Sequence, residues 1–313
     1  AQLNLHAGKK DRTPSTLTIE SALKGIKIDL PAPLGKTATA AAPLSVHLNF
    51  TQHGPMNVYF NHQLVSDRIK GVLSFRPDVH KTLKLYSGEF MFGNKPVVVQ
   101  QAPGLVVRGY LSSLDWKAWY TFYQVKKQQY QEQQTHPQEH RVSMIPRLVD
   151  LTIGKFSLMG QKFSPIDIKF ESLLNHYSVS INSQAINGTI SIPTNYPKGR
   201  LTANFVRLHL NTSQSAGEKS AFDDQVDPAA LPAMQIGIAD FQLGDKPMGG
   251  VYFESQPEKN AMLIKHINFV GHLLTGKVTG AWSLIHGRYQ TSLSGYLGTD
   301  HLTALNKAWG VTS

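Results

Sequence analysis

Apolar and polar residues alternate with a period of two through most of this chain. Leu17/Ile19, Ile26/Ile28/Leu30, Val46/Leu48/Phe50, Val58/Phe60, Leu105/Val107, Leu151/Ile153, Ile166/Ile168/Phe170, Val179/Ile181, Ile190/Ile192 and Leu201/Ala203/Phe205 each fall on one side of such a run. Lys27/Asp29, His47/Asn49, Asp167/Lys169, Ser180, Ser191 and Thr202/Asn204 fall on the other. Successive side chains of a strand point to opposite faces, so each run predicts a strand with one apolar and one wetted face, as in antiparallel sheet. Turn chemistry separates the runs at His53-Gly54-Pro55, Gly93-Asn94-Lys95-Pro96, Asn187-Gly188, Pro197-Lys198-Gly199 and His286-Gly287.

Two stretches carry helical spacing instead. Asp115 is placed to cap a helix over residues 115–134, in which Trp116, Trp119, Tyr120 and Tyr123 form an aromatic stripe. A Gln-rich extension with Lys126 and Lys127 follows and stops before Pro137. Asp300 is placed to cap a second, shorter helix through Leu302, Leu305 and Trp309 that ends at Gly310.

An internal echo organises the C-terminal half. Ile145-Pro146, Ile153, Phe156-x-Leu158 and Phe170-Glu171-Ser172 recur as Leu231-Pro232, Ile238, Phe241-x-Leu243 and Phe253-Glu254-Ser255. One supersecondary unit used twice, with small loop changes, leaves this mark. The expected modules are an N-terminal β-module over 1–136 ending in the aromatic helix, a first repeat over 145–212, a polar linker over 213–230, and a second repeat with its short helix over 231–313.

Composition then closes several function classes. The 313 residues contain no Cys, which removes disulfides, Cys-based zinc sites and thiol nucleophiles, and suits an oxidising compartment. A formal net charge of +10 favours an anionic partner. The basic residues are scattered singly and accompany no RNP, homeodomain or zinc-finger pattern, so nucleic acid is not expected. Thirteen His residues show no metal-ligand spacing, and Pro137 spoils the nearest pair, His136 and His140. Asp223-Asp224 reads as a solvated loop, and no nucleophile elbow, phosphate loop or metalloprotease motif occurs. No catalysis, cofactor or metal is expected.

On the order of fifteen amphipathic strands face only two helices, so something else must cover their apolar sides. A second sheet, a closed barrel, or an open trough filled by ligand all meet that need.

Ser21-Ala22-Leu23-Lys24-Gly25-Ile26-Lys27-Ile28-Asp29-Leu30-Pro31-Ala32-Pro33-Leu34-Gly35-Lys36 resembles a segment of the AsmA-like proteins, specifically their YhdP branch. Gly104 to Leu111 with Leu114-Asp115 and Trp119 resembles the same branch, as do both Pro-led repeats with Phe156-Ser157-Leu158 and Phe241-Gln242-Leu243. The resemblance implies a mainly β fold, a curled antiparallel sheet forming an elongated apolar groove with one or two amphipathic helices. It implies a role in carrying phospholipid across the periplasm of a Gram-negative envelope, from a parent protein anchored in the inner membrane. The chain has no anchor helix and is shorter than a whole member, so it is expected to be a C-terminal portion. The groove residues expected from the inward alternation are Ile26, Ile28, Leu48, Phe50, Leu151, Ile153, Ile168, Phe170, Ile236, Ile238 and Phe253, with head groups at a basic rim. Trp116, Trp119, Tyr120, Tyr123, Lys126 and Lys127 form a candidate surface for a membrane or an envelope protein. A closed β scaffold without lipid, and a carbohydrate-active β enzyme, are the alternatives.

Overall fold

The computed structural model describes residues 2–4, 15–50, 55–64, 66–132, 145–158, 160–211, 230–285 and 288–310. The linker expected over 213–230, apart from Ala230, lies outside them, as do Asp223-Asp224, His136 and His140, and the His53-Gly54 and His286-Gly287 turns. The chain divides into two compact units, Ala1–Phe156 and Ser157–Ser313. The division falls inside an eleven-residue strand at the head of the first echo rather than at the expected module boundary.

Unit 1 is built from β1 (Gln2–Asn4), β2 (Ser15–Ser21), β3 (Leu44–Phe50), β4 (Met56–Gln63), β5 (Arg68–Pro77), β6 (Leu83–Phe92), β7 (Gly104–Asp115), helix α1 (Trp116–Glu132) and most of β8 (Leu148–Leu158). Strands β2 to β6 form an antiparallel meander, each paired with its sequence neighbour. Next, β7 pairs parallel with β6 after the crossover at 93–103. Unit 2 holds β9 (Gln161–Phe163), β10 (Ile166–Ser172), β11 (His176–Ser183), β12 (Ile186–Pro193), β13 (Arg200–Leu210), β14 (Ala233–Leu243), β15 (Lys246–Glu258), β16 (Ala261–Val270), β17 (Thr275–Ile285), β18 (Arg288–Gly298) and helix α2 (Leu302–Trp309). From β10 to β18 each strand pairs with the next in sequence, antiparallel except the parallel pair β13 and β14. The fold is therefore mainly β, as expected, but the sheets are mixed. Each parallel pair follows a long crossover, because a tight turn can only reverse a strand.

The echo lands on matching elements. Strands β8 and β14 are both eleven residues long, and each carries its Phe-x-Leu at the C-terminal end.

Three local expectations are corrected. Ile26, Ile28 and Leu30 form no strand: they lie in a looped segment between β2 and β3 that holds one isolated bridge, Ile28 to Lys36. Two prolines and two glycines within 25–35 keep a ladder from extending although the alternation continues. Asn187-Gly188 is not a turn but part of β12, the reversal coming at Gln184-Ala185. Helix α2 begins after His301 with no side-chain cap, so Asp300 does not cap it, whereas Gly310 closes it in the left-handed region as expected. For α1, the Asp115 carboxylate accepts from the amides of Lys117 (2.9 Å) and Ala118 (3.4 Å), which is the expected N-cap.

The best-packed part of unit 1 is on the polar side of its sheet. Val72, Glu89 and Val106 stand opposite one another on β5, β6 and β7 and are at most 1% exposed. The crossover lies over them. Val98 donates its amide to Glu89 Oε2 at 2.6 Å, Ser87 Oγ donates to the Gln100 carbonyl at 2.8 Å, and Arg108 pairs with Glu89 Oε1 at 3.2 Å. The strap is thus spent on the face that the alternation marks as polar, not on the apolar one.

Candidate functional site: the apolar sheet faces

Register assembles the apolar faces residue by residue. In unit 1, Leu17, Leu48, Val58, Leu73, Gly88 and Leu105 form one row across β2 to β7. Ile19, Val46, Phe60, Gly71, Phe90 and Val107 form the next. In unit 2, Ile168, Ile181, Gly188, Phe205, Ile238, Val251, Phe269, Gly276 and Leu297 form a row across nine strands. Phe170, Val179, Ile190, Ala203, Ile236, Phe253, Ile267, Val278 and Gly295 run beside it. Eight strand spacings of about 4.8 Å make each of these rows about 38 Å long. No charged side chain interrupts any of the four rows.

These side chains are not packed as a core would be. Apart from the glycines, only Val251 and Ala203 in the four rows are buried; the rest are half-buried or exposed. A core Leu or Phe is normally enclosed completely, so apolar area remains in contact with solvent along both faces. On these faces side chains shield one another: Phe60 and Phe90, on either side of Gly71, lie 5.6 Å apart, and Phe170 stacks on Tyr177 of the next strand at 5.6 Å.

The polar faces carry the charges. In unit 2, Glu254 accepts from Tyr252 Oη at 3.2 Å and from Lys265 Nζ at 3.5 Å, with Arg200 at 3.9 Å and His266 at 3.6 Å. Burial raises the Glu254 pKa, but the hydrogen bonds from Lys265 and Tyr252 and the charges of Lys265 and Arg200 outweigh it and hold the carboxyl below its ordinary value. Asp240 pairs with Arg207 and His209, and Lys169 with Glu171. Many scattered bases are therefore engaged with carboxylates on the side away from the apolar rows.

Seven of the eleven expected lining residues lie on the apolar faces: Leu48 and Phe50 in unit 1, and Ile168, Phe170, Ile236, Ile238 and Phe253 in unit 2. Ile26 and Ile28 sit off the sheet, Ile26 being 52% exposed. Leu151 is half-buried on β8, but Ile153 beside it is 1% exposed and belongs to a closed core. Val251, Ile267, Phe269 and Val278 were not singled out, and Phe205, though read in an alternating run, was not chosen as a lining residue. The bulge between Ile264 and Ile267 shifts the alternation along β16, so a strict period of two misses Ile267 and Phe269.

The aromatic helix splits. Trp119 and Tyr120 are half-buried, while Trp116 and Tyr123 are 42% and 60% exposed. The Lys126 ammonium reaches Gln129 Oε1 at 3.1 Å, and Lys127 falls outside the described side chains. Among the described residues, no helix is long and apolar enough to cross a membrane.

No curated protein and no solved structure matches the chain. A family model does match it, that of the YhdP protein, over residues 1–313. With the match covering every residue, and the motif Leu30-Pro31-Ala32-Pro33-Leu34-Gly35-Lys36 and the repeated strands placed as described, the chain belongs to the YhdP protein family.

Proposed function

We propose that the apolar faces hold phospholipid acyl chains, and that the chain is the lipid-carrying C-terminal part of a periplasmic intermembrane transport protein anchored in the inner membrane. The observation that carries this reading is the pair of uninterrupted apolar rows in each unit, left half-exposed while the 93–103 strap is used on the opposite face. The family membership supports the same reading.

The energetics fit such a task. A diacyl lipid has roughly thirty methylenes, and at about 0.8 kcal/mol each its passage through water costs on the order of 20 kcal/mol. A surface of Ile, Val, Leu and Phe removes most of that barrier without binding any one chain tightly, and neighbouring rows offer equivalent positions along the sheet. Head groups stay in water at the strand ends, where Lys84, paired with Asp78, and Arg76, stacked on Tyr86, supply positive charge.

Native mass spectrometry of the gently purified chain, followed by organic extraction, tests this. Co-purified phospholipid that falls when Ile168 and Ile236 are both changed to Asp, with the circular dichroism spectrum retained, is the expected result. A folded, lipid-free protein would overturn it and favour the closed scaffold.

A further inference from the structure

Phe60, Gly71 and Phe90 stand opposite one another on β4, β5 and β6, all on the apolar face of unit 1. Strands two apart are separated by about 9.6 Å, and side chains stand roughly perpendicular to a sheet. Two rings so placed would not meet over an ordinary residue. Here their centroids are 5.6 Å apart with planes inclined at 57°, and the Phe60 ring lies over the glycine between them. A Cβ at Gly71 would run into the Phe60 ring.

The arrangement recurs within unit 1. Gly88 is flanked by its cross-strand partners Leu73 and Leu105, whose Cδ2 atoms lie 2.7 and 2.9 Å from where a Cβ would sit. In unit 2 a Cβ would meet the cross-strand side chain at Gly188 (Phe205, 2.5 Å), Gly276 (Leu297, 2.6 Å) and Gly280 (Leu293, 2.9 Å), but it would first meet a backbone carbonyl oxygen, of Asn204 at 2.4 Å, Tyr296 at 2.5 Å and Ser292 at 2.0 Å. None of these five glycines has a positive φ, so backbone conformation does not call for them. Glycine in a strand interior weakens the strand. Close backbone approach accounts for the three glycines of unit 2, whereas at Gly71 and Gly88 the nearest atoms are side-chain atoms, so what those two positions gain is the space above them.

We propose that Gly71 and Gly88 act as spacers that keep the apolar face of unit 1 low, and that Gly71, with Phe60 laid across it and Phe90 beside that ring, sets the clearance met by an acyl chain there. The proposal rests on the acyl-chain reading above and deepens it. A floor of reclined rings leaves room for slender polymethylene chains, whereas any side chain at Gly71 would push the Phe60 ring upright into their path. Gly71 and Phe60 are in this sense specificity-determining residues for the acyl chain.

The test uses the full chain with phosphatidylethanolamine vesicles carrying a photoreactive diazirine acyl chain, the cross-links being mapped by peptide mass spectrometry. The wild type is expected to label in both units. Gly71→Val is expected to lose labelling on β3 to β6 severalfold while labelling in unit 2 stays. Phe60→Ala in the Gly71→Val background is expected to restore it. Gly237→Ala is the control, a strand glycine on the polar face whose Cβ would meet Asn204 Oδ1 at 3.3 Å, and it should change nothing. Melting curves establish folding. If Gly71→Val does not fold, Phe60→Ala alone carries the test, because it adds clearance without overpacking and should raise uptake of a bulky pyrene-acyl lipid severalfold. Unchanged unit 1 labelling in folded Gly71→Val, or unchanged pyrene uptake in Phe60→Ala, would overturn the spacer role while leaving the acyl-chain reading intact. A wild type that labels in neither unit would overturn both.

Discussion

The indole N–H of Trp119 donates to the carbonyl oxygen of Ala32 at 3.0 Å, joining α1 to the segment between β2 and β3. That segment is itself pinned from within. Lys36 is 8% exposed, and its ammonium donates to the carbonyls of Leu23 and Thr37, both at 2.9 Å, and to that of Ile26. Polar stretches without a ladder need such substitutes, because buried carbonyls left without donors are costly. The Leu-Pro-Ala-Pro-Leu-Gly-Lys motif is therefore a folded loop organised around its own lysine, with an aromatic helix bonded to its crest.

Replacing Lys36 by Met should open this loop. Hydrogen bonds from a charged donor contribute about 1.5–3 kcal/mol each at most, and the three carbonyls regain water when the loop loosens, so a total loss of about 2–3 kcal/mol is expected. Trp119→Phe removes one neutral hydrogen bond while keeping a ring, and should cost only about 0.5–1.5 kcal/mol. Limited proteolysis checks the difference. Cleavage within 22–42 should rise sharply for Lys36→Met and modestly for Trp119→Phe. Equal resistance in Lys36→Met and the wild type would refute the role given to the lysine.

Glu89 makes a second prediction, about the strap. Its carboxylate is 1% exposed and takes both the Val98 amide and the Arg108 guanidinium. Glu89→Gln keeps an acceptor but removes the charge, so it should destabilise by about 1–3 kcal/mol. The larger cost typical of a broken buried ion pair does not apply, because Arg108 is 39% exposed and keeps its hydration. Chemical denaturation gives the stability. Because the strap lies on the polar face, the lipid content of the folded variant should match that of the wild type.

Much of this could be read in advance from the amino-acid sequence, and the failures have physical causes. Period-two alternation identified β2 to β4, β7, β8 and β10 to β13, and with them the parts of the apolar rows that they carry, because register aligns every second residue across neighbours. It failed at Ile26 and Ile28, where alternation persists but prolines and glycines prevent a ladder. It misread Gly188 as a turn residue, since a glycine after Asn carries the same signal whether it reverses the chain or makes room for the Asn204 carbonyl and Phe205. The burial of Val72, Glu89 and Val106 was invisible, because it depends on where the 93–103 crossover lies, which no local pattern encodes. The parallel pairings escaped for the same reason.

The Glu254 cluster predicts an acid-sensitive contribution to stability. Its carboxyl is held below the ordinary value of 4.5 by Lys265, Tyr252 and Arg200 acting against burial. A depressed carboxyl stabilises the fold above its unfolded pKa, and that stabilisation fades as pH falls through the ordinary value towards the folded one. Thermal melts of the wild type and Glu254→Gln should therefore differ at pH 7 and converge as the solution is acidified below 4.5. A gap that stays constant to pH 3 would show that the charge of Glu254 contributes nothing.

Ile153 and Ile168 separate a core position from a lining position that alternation alone treats alike. Ile153 is 1% exposed, so Ile153→Asp would bury a carboxylate with no partner, and either the charge or the whole strand must be expelled. A loss of several kcal/mol, enough to unfold a typical domain, is the expected result. Ile168 is half-buried on the apolar face opposite Ile181, where an Asp side chain can reach water. Ile168→Asp should therefore fold, at a cost of about 1–2 kcal/mol from lost apolar contact, and act on lipid content instead. Far-UV circular dichroism with thermal melting, followed by lipid extraction from whichever variants fold, distinguishes the two. If Ile168→Asp unfolds as Ile153→Asp does, the face is a closed core and acyl chains have no access to it. If Ile168→Asp folds and loses phospholipid, solvent access at that face is access for lipid as well.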